Sequence, residues 1–362
     1  MLIGIDTSRT TKPKLTGTEY YSIEIIKALA SLDINNRYLL YAQADPSKRL
    51  GELPENFKTK IMPFPRFWSQ IRLSWEMLWN KPDVLFVPSH TVPLVHPKNT
   101  VVTLHDLGFK HFPELYSLKE LVYHNWTMNF SATKAKEIIT PSEFTKKDLV
   151  KTYAIDPAKI HVVYHGFDRE MFVPNPAVKK KPYILFIGRI EEKKNIKNMI
   201  KAFELLRREK RITHQLILAG SPGFGYEGIK AEMDKLPEEI RKDVIELGYI
   251  DQKEYVRRLQ EADIFLFTSF FEGFGMPIIE AFACETPVIT SNVTSMPEIA
   301  GNAALTVDPR KPLEIAAALS RLINSPKLKE DLIFKGRMRA RLFSWEKAAE
   351  ETLEVIKKAE SK

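Results

Sequence analysis

Short apolar runs alternate with amphipathic stretches along the whole chain. The runs LIGID (2–6), YLLYAQA (38–44), DVLFVPS (83–89), TVVTLHD (100–106), KEIITPS (136–142) and IHVVYHG (160–166) read as strands, and TEYYSIEIIKALASL (18–32) reads as a helix. Strands that alternate with helices predict a parallel sheet covered on both faces. The pattern breaks at VPNPAVKKKP (173–182), whose prolines and lysines predict a linker. It then restarts with YILFIG (183–188), the helix NIKNMIKAFELLRRE (195–209), HQLILAG (214–220), DVIELGY (243–249), the helix DQKEYVRRLQEA (251–262), DIFLFTS (263–269), the helix PIIEAFAC (277–284), PVITS (287–291) and AALTVD (303–308). The tail, SWEKAAEETLEVIKKA (344–359), is a charged amphipathic helix with Ser344 as its N-cap. The expected architecture is therefore α/β: two doubly wound Rossmann-like domains, 1–172 and 183–343, joined by the linker 173–182, with 344–362 as a terminal helix. Such a pair puts a cleft between the carboxyl ends of both sheets, so function is expected on loops that follow strands.

Composition narrows the class. The 362 residues exceed one ordinary core, and 44% hydrophobic with 28% charged residues is a globular balance. No apolar run is long enough to span a bilayer and no signal-peptide layout opens the chain, which predicts a cytoplasmic protein. The one cysteine, Cys284, excludes an internal disulfide and reads as a small buried side chain. The net charge of +8 is spread evenly, with 22 basic and 18 acidic residues in 1–172 against 32 and 28 in the remainder. An even spread argues against nucleic acid and leaves an anionic substrate or an acidic membrane face as partners.

Candidate chemistry sits on the loops. In FFEGFGMPIIE (270–280), Glu272 follows a buried strand, the glycines hold a loop, and Pro277 opens a helix that carries Glu280 one turn in. The backbone N–H groups of Phe274, Gly275 and Met276 at that helix start suit phosphate or sugar hydroxyls, and the two carboxylates suit a polyol. The bland alternative is a dipole-complementing Glu280 and a surface Glu272. In IGRIEEKKN (187–195), Arg189 and Lys194 offer a fork and a point charge, the cation set that holds a diphosphate when no metal does. A solvated basic helix start is the competing reading. Gly17, in KLTGTEY (14–20), precedes the first helix and offers its N–H to a phosphate, although one glycine is not the dinucleotide fingerprint. His105 and Asp106 end a strand in TLHDLGF (103–109), where a histidine either donates to a ligand or is merely structural. No Asp-x-Asp pair and no metal-ligand histidine spacing occurs, so no metal is expected. In PRFWSQIRLSWEMLWNK (65–81) the spacing of Phe67, Ile71, Trp75 and Leu78 predicts a helix stripe packed on its own domain; the alternative is a membrane-edge or lipid-acceptor surface.

With these residues assembled, the chain resembles the retaining family 4 (glycosyl transferases group 1) enzymes of the GT-B fold and is mannosyltransferase-like. The resemblance is carried by GRIEEKKNIKNMIKAF, by LGYIDQKEYVRRLQEADIFLFTSFFEGFGMPIIEAFACETPVIT and by FSWEKAAEETLEVI. Weaker likeness lies in TGTEYYSIEIIKAL, VVTLHDLGFKHFPELYS and IITPSEFTKKDL. It implies two domains facing each other across a cleft, an acceptor-binding first domain, a nucleotide-sugar-binding second domain, and a last helix that crosses back to the first. Glu272 and Glu280 match the family's paired glutamates. Glu280 would then bind the ribose, and Glu272 with the N–H groups of Phe274, Gly275 and Met276 would hold the hexose. Arg189 and Lys194 would bind the departing diphosphate, and Gly17 would touch its distal phosphate. His105 would lie at the hexose, and Tyr249 and Ile250 by the base. The implied reaction is metal-independent transfer of an α-hexose from a nucleotide sugar, GDP-mannose first and UDP-glucose or another UDP-hexose second. The implied acceptor is a glycan or a lipid-linked glycan made at the inner membrane face by a cytoplasmic or peripheral membrane enzyme of polysaccharide biosynthesis. Two other classes stand beside it: glycoside hydrolysis by paired carboxylates, and a non-catalytic sugar-nucleotide-binding protein of the same fold.

Overall fold

The computed structural model describes residues 1–12, 16–209 and 212–361 and groups them into two units, Met1–Gly166 with the terminal Ser344–Lys362, and Phe167–Phe343. In the first unit seven strands form one sheet: β1 (Leu2–Asp6), β2 (Arg37–Ala42), β3 (Phe57–Ile61), β4 (Val84–Val87), β5 (Thr100–Thr103), β6 (Glu137–Thr140) and β7 (Ile160–Val162). Their order is β3-β2-β1-β4-β5-β6-β7, and every pair is parallel. Strands such as Val84–Val87 are buried at every position because helices cover both faces, which is why they read as continuous apolar runs.

The second unit carries β8 (Lys181–Ile187), β9 (Gln215–Ala219), β10 (Val244–Gly248), β11 (Ala262–Phe267), β12 (Val288–Ser291) and β13 (Ala304–Val307). The order β10-β9-β8-β11-β12-β13 is again all parallel. In both sheets the winding reverses beside the first strand, between β1 and β4 and between β8 and β11. Loops at the carboxyl ends of those strands diverge there and leave room for a ligand.

Three features depart from the sequence pattern. The packing changes at Gly166 instead of at 173–182, because that proline-lysine stretch is pinned to the second unit. There the Gln260 side-chain amide donates to the Val173 carbonyl at 2.8 Å and Lys180 Nζ donates to Thr286 Oγ1 at 2.9 Å. β3 was passed over because FKTKI is a polar edge strand, and two helices, Pro312–Ile323 and Pro326–Ala340, lie where no element was expected. The stripe expected in 65–81 is inverted: Trp68, Leu73 and Met77 are buried, whereas Phe67, Ile71, Trp75 and Leu78 are at least half exposed. A π-helical turn at Ser69–Leu73, entered from Phe67 in the left-handed region (φ 53°), rotates the face that the regular period assigns to the core.

The terminal helix Trp345–Glu360 belongs to the first unit, capped by Ser344 Oγ, which accepts from the Lys347 N–H at 3.1 Å. It seats Trp345 against Tyr20, Tyr21 and His165. Gly166 backs directly onto this helix start, where a Cβ would overlap the main chain of Ser344 and Trp345. Since neither backbone segment can yield cheaply, Gly166→Ala is expected to cost about 1–3 kcal/mol. Urea unfolding of the variant checks this, and an unchanged midpoint would mean the cap region gives way freely.

Candidate functional site

Most of the residues singled out in the sequence gather where β8 and β11 end. β8 runs into Gly188 and Arg189, then into a 3-10 turn, Glu192–Lys194, before the helix Ile196–Arg208. Asn195 joins turn and helix in the left-handed region (φ 63°) and fixes the junction by donating to the carbonyls of Thr268 (2.9 Å) and Pro309 (2.7 Å). A second clamp comes from the loop after β9. Ile190 N–H donates to Ser221 O at 3.0 Å, Gly223 N–H donates to Ile190 O at 2.9 Å, and Glu192 N–H donates to Phe224 O at 3.0 Å. The loop is thus held on two sides, and Lys194 is aimed by it.

Lys194 Nζ lies 2.6 Å from Glu272 Oε1, and both side chains are 14% exposed. The ammonium also sits 5.5 Å from the centre of the Phe267 ring. Arg189 is not part of this pair; its side chain is 66% exposed and its Nε lies 3.9 Å from the Glu191 carboxylate. The Glu272 loop is held from below by Ser295, whose hydroxyl donates to the carbonyls of Glu272 (2.9 Å) and Phe274 (2.8 Å). Those carbonyls therefore face inward. Gly275, at φ 107°, then turns the chain into the helix Met276–Ala283 in a conformation that an L side chain strains to reach. The first N–H groups of a helix have no acceptor within it, so Gly275 and Met276 bring donors to the loop that carries Glu272. Phe274 is buried edge-on against Phe343.

Glu280 is buried, and the Tyr255 hydroxyl donates to its Oε2. Burial pushes its carboxyl up to about 7; the Tyr255 hydrogen bond pulls the other way, and the charge of Asp168 adds to the rise. Tyr249 and Ile250 follow β10, and Tyr249 is 80% exposed and stands clear of the pair. The Gly248 carbonyl accepts from Gly220 N–H at 2.7 Å, which keeps the Tyr249 turn at the same end of the sheet as the Lys194 loop.

Gly17 and His105 belong to the first unit. Gly17 is the first residue of the helix Gly17–Leu32, after Thr16 in a capping box with Glu19, and a Cβ there would meet nothing within 4 Å. The start of KLTGTEY, residues 14 and 15, lies outside the described residues. His105 Nε2 is 3.0 Å from the Pro88 carbonyl, so that nitrogen carries the proton and Nδ1 is the acceptor. Burial, then the charge of Arg9 among weaker influences, holds the imidazole below its usual range and neutral. Tyr21 lies against His105 with ring centres 4.8 Å apart, and its hydroxyl is 3.1 Å from Thr103 Oγ1.

The sequence reading missed Asn195, Tyr255, Ser295 and Tyr21. Each acts through a contact far along the chain, and nothing local marks it.

Two parallel-sheet Rossmann-like units with this loop chemistry define the class, a GT-B glycosyltransferase. Solved structures agree on the fold: sucrose-phosphate synthase from Thermosynechococcus elongatus superposes with a TM-score of 0.77 over 99% of this chain and 98% of that one at 18% identity. HepE from Anabaena, in complex with UDP and glucose, gives 0.75 over 99% and 100% at 17% identity. Residues 15–171 match the family model described as Glycosyltransferase Family 4, and residues 167–339 match Glycosyl transferases group 1. The chain belongs to this family and is a hexosyltransferase. The O-antigen chain mannosyltransferase B of Escherichia coli is 26% identical over 96% of this chain and 97% of its own length. The O-antigen chain mannosyltransferase RfbU of Salmonella typhimurium is 26% identical over 81% and 83%.

Glu280 makes stability depend on pH. Its folded value is raised above the unfolded one, so its contribution is complete below about pH 4.5 and is lost as pH rises through about 7. Relative to Glu280→Gln, the unliganded wild type is expected to lose on the order of 3 kcal/mol between pH 4.5 and 8. Denaturant unfolding of both proteins across that range tests this, and parallel curves would place the titration elsewhere.

Proposed function

We propose that the protein transfers an α-hexose, mannose from GDP-mannose, to a glycan or lipid-linked acceptor with retention of configuration and without a metal ion. The observation that carries the reading is the Lys194–Glu272 pair on a loop closed by Gly275 at a helix N-terminus, with Glu280 one turn further on. The relatives named as mannosyltransferases support the choice of mannose. UDP-hexose transfer is the second reading, favoured by the structural neighbour whose crystal contains UDP and glucose.

In this reading Glu280 takes the ribose hydroxyls, and its near-neutral carboxyl is able both to donate and to accept. Glu272 and the N–H groups of Phe274, Gly275 and Met276 orient the hexose. Negative charge develops on the departing diphosphate as the glycosidic bond lengthens. Lys194 and Arg189 stabilise that charge more than they stabilise the bound donor, and this difference is what accelerates the step. Arg189 is exposed, so it closes on the phosphates only when they are present. Glu272, the carboxylate on the loop, is engaged by Lys194 and serves here to orient the sugar, so in this reading the acceptor hydroxyl attacks from the face the diphosphate leaves, and a phosphate oxygen takes its proton. His105, neutral with Nδ1 as acceptor, orients the hexose hydroxyls. Tyr249 and Ile250 contact the base and Gly17 the distal phosphate. The enzyme works at the inner membrane face as a peripheral protein; among the described residues no helix is long and apolar enough to cross a membrane.

A thermal-shift panel of GDP, UDP, ADP, GDP-mannose and UDP-glucose identifies the donor. A ligand at 100 times its Kd adds about 2.7 kcal/mol, and the guanine compounds are expected to stabilise the wild type but not Glu280→Ala. Lys194→Ala is expected to lower kcat by about 100- to 1,000-fold with the fold intact. Near-normal turnover in that variant would sink the leaving-group role.

A further inference from the structure

The first unit has its own cation-lined cavity. Its sheet reverses between β1 and β4, and beyond the carboxyl ends of those strands lies a cavity of about 330 Å³. Ser8 and Arg9 reach it from β1, Ser89 and Thr91 from β4, and Arg66 from the segment before the π-helical turn. Among the described residues, Lys12 completes a set of three cations and no carboxylate lines the cavity. Glu19 lies 3.3 Å from Arg9, but among the described residues neither Lys12 nor Arg66 has an ion-pair partner. Asp6, at the end of β1, is buried and committed to the Ser8 N–H and the Ser69 hydroxyl, at 2.9 and 3.2 Å. The positive field persists past Glu19. After burial, the charge of Arg9 is the next cause that lowers the pKa of neighbouring His90, to about 3, and it also depresses His105 and His124. Three cations and several hydroxyls around one cavity are matched by the oxygens of a phosphate or diphosphate.

One rim of the cavity is apolar and leads outward. Phe67 heads the exposed stripe Ile71, Trp75 and Leu78, and its ring lies 6.3 Å from that of Tyr123, whose hydroxyl accepts from Gln70 at 2.9 Å. Tyr123 lines the cavity and also a shallow groove formed with Leu118, Lys119, Val122 and Trp126 on the helix Leu118–Lys134. Leu118 and Val122 are 82% and 70% exposed, an apolar surface that continues outward from Tyr123, with Lys119 among its neighbours. Charge at one end and continuous apolar surface at the other fit one chemistry, an amphiphile with an anionic head.

We propose that this cavity is an anion subsite for the acceptor, holding the phosphate or diphosphate of an amphiphilic acceptor whose apolar chain lies over Phe67, Tyr123 and the Leu118–Val122–Trp126 groove. The transfer reading enters only in calling the ligand an acceptor. Arg66 and Lys12 supply the charge that the head requires, and Tyr123 marks the passage from head to chain.

Binding of geranylgeranyl diphosphate, inorganic diphosphate and geranylgeraniol to the full chain, followed through quenching of Trp68 and Trp126, tests this. The comparison uses wild type, Lys12→Glu/Arg66→Glu, and Arg189→Ala/Lys194→Ala, the last to remove diphosphate capture in the second unit. The prenyl diphosphate is expected to bind tighter than either fragment, to weaken at least tenfold in Lys12→Glu/Arg66→Glu, and to keep its affinity in Arg189→Ala/Lys194→Ala. Equal affinity in wild type and Lys12→Glu/Arg66→Glu would overturn the subsite. Inorganic diphosphate binding as tightly as the prenyl compound would overturn the assignment of the apolar strip. Failure of every nucleotide to stabilise the protein, with the prenyl diphosphate behaving as expected, would sink the transfer reading and leave the anion subsite standing.

Discussion

The second unit is organised around one largely buried ion pair, Lys194 with Glu272. The two charges come from loops that follow different strands, β8 and β11, so the pair forms only if both loops are held to within a fraction of an ångström. Asn195 and Ser295 hold them, each by bonding two carbonyls of distant segments. Desolvating two charges costs several kcal/mol per ion, which their attraction repays only when geometry is good. A site of this kind is under tension with respect to ligands. An incoming anion offers Lys194 a second partner and a polyol offers Glu272 its hydroxyls, so binding exchanges interactions already made for ones of the same kind.

The sheets were legible in the sequence because both units bury their strands on two faces, and a run such as LIGID or DIFLFT has no other stable use. The glutamate loop was legible for a related reason: Gly275 sits at φ 107°, Pro277 in the first turn of a helix, and each residue type marks its own backbone geometry. Tyr255 was not, because its partner Glu280 lies 25 residues away and a tyrosine on an amphipathic helix carries no sign of what it meets. The break at 173–182 was misplaced for a similar reason. Proline and lysine report exposure and poor secondary structure, whereas attachment to a unit is decided by bonds such as that from Gln260 to Val173.

The segment 65–81 is the instructive failure. A period of 3.6 residues puts Phe67, Ile71, Trp75 and Leu78 on one face, and hydrophobicity alone sends that face inward. The π-helical turn changes the phase, and Trp68, Leu73 and Met77 take the core instead. The interior bond from Trp68 Nε1 to the Met62 carbonyl, 2.7 Å, supports this register, since a buried indole needs an acceptor and Trp68 has one. The large apolar residues left outside are then a property of the fold and not an accident of composition.

Charge was misleading in the same way. Counting by halves spreads the +8 evenly and hides any cluster, yet Arg9, Lys12 and Arg66 meet at one cavity although 57 positions separate the first from the last. Parallel topology accounts for this. In a parallel sheet every strand sends its following loop to the same end, so Arg9 and Lys12 after β1 and Arg66 after β3 emerge on one side, as Arg189 and Lys194 after β8 do in the second sheet. Each unit, considered by itself, thus carries an anion-seeking loop at its own switch point, one set partly neutralised by Glu272 and the other almost uncompensated. A glycosyltransferase must bind two different substrates, and the less compensated set is the one that selects for net charge on its ligand. A neutral glycan would leave the repulsion between Lys12 and Arg66 as it is in the free protein, whereas the phosphate of the proposed acceptor would relieve it, and that difference is what would favour the charged ligand.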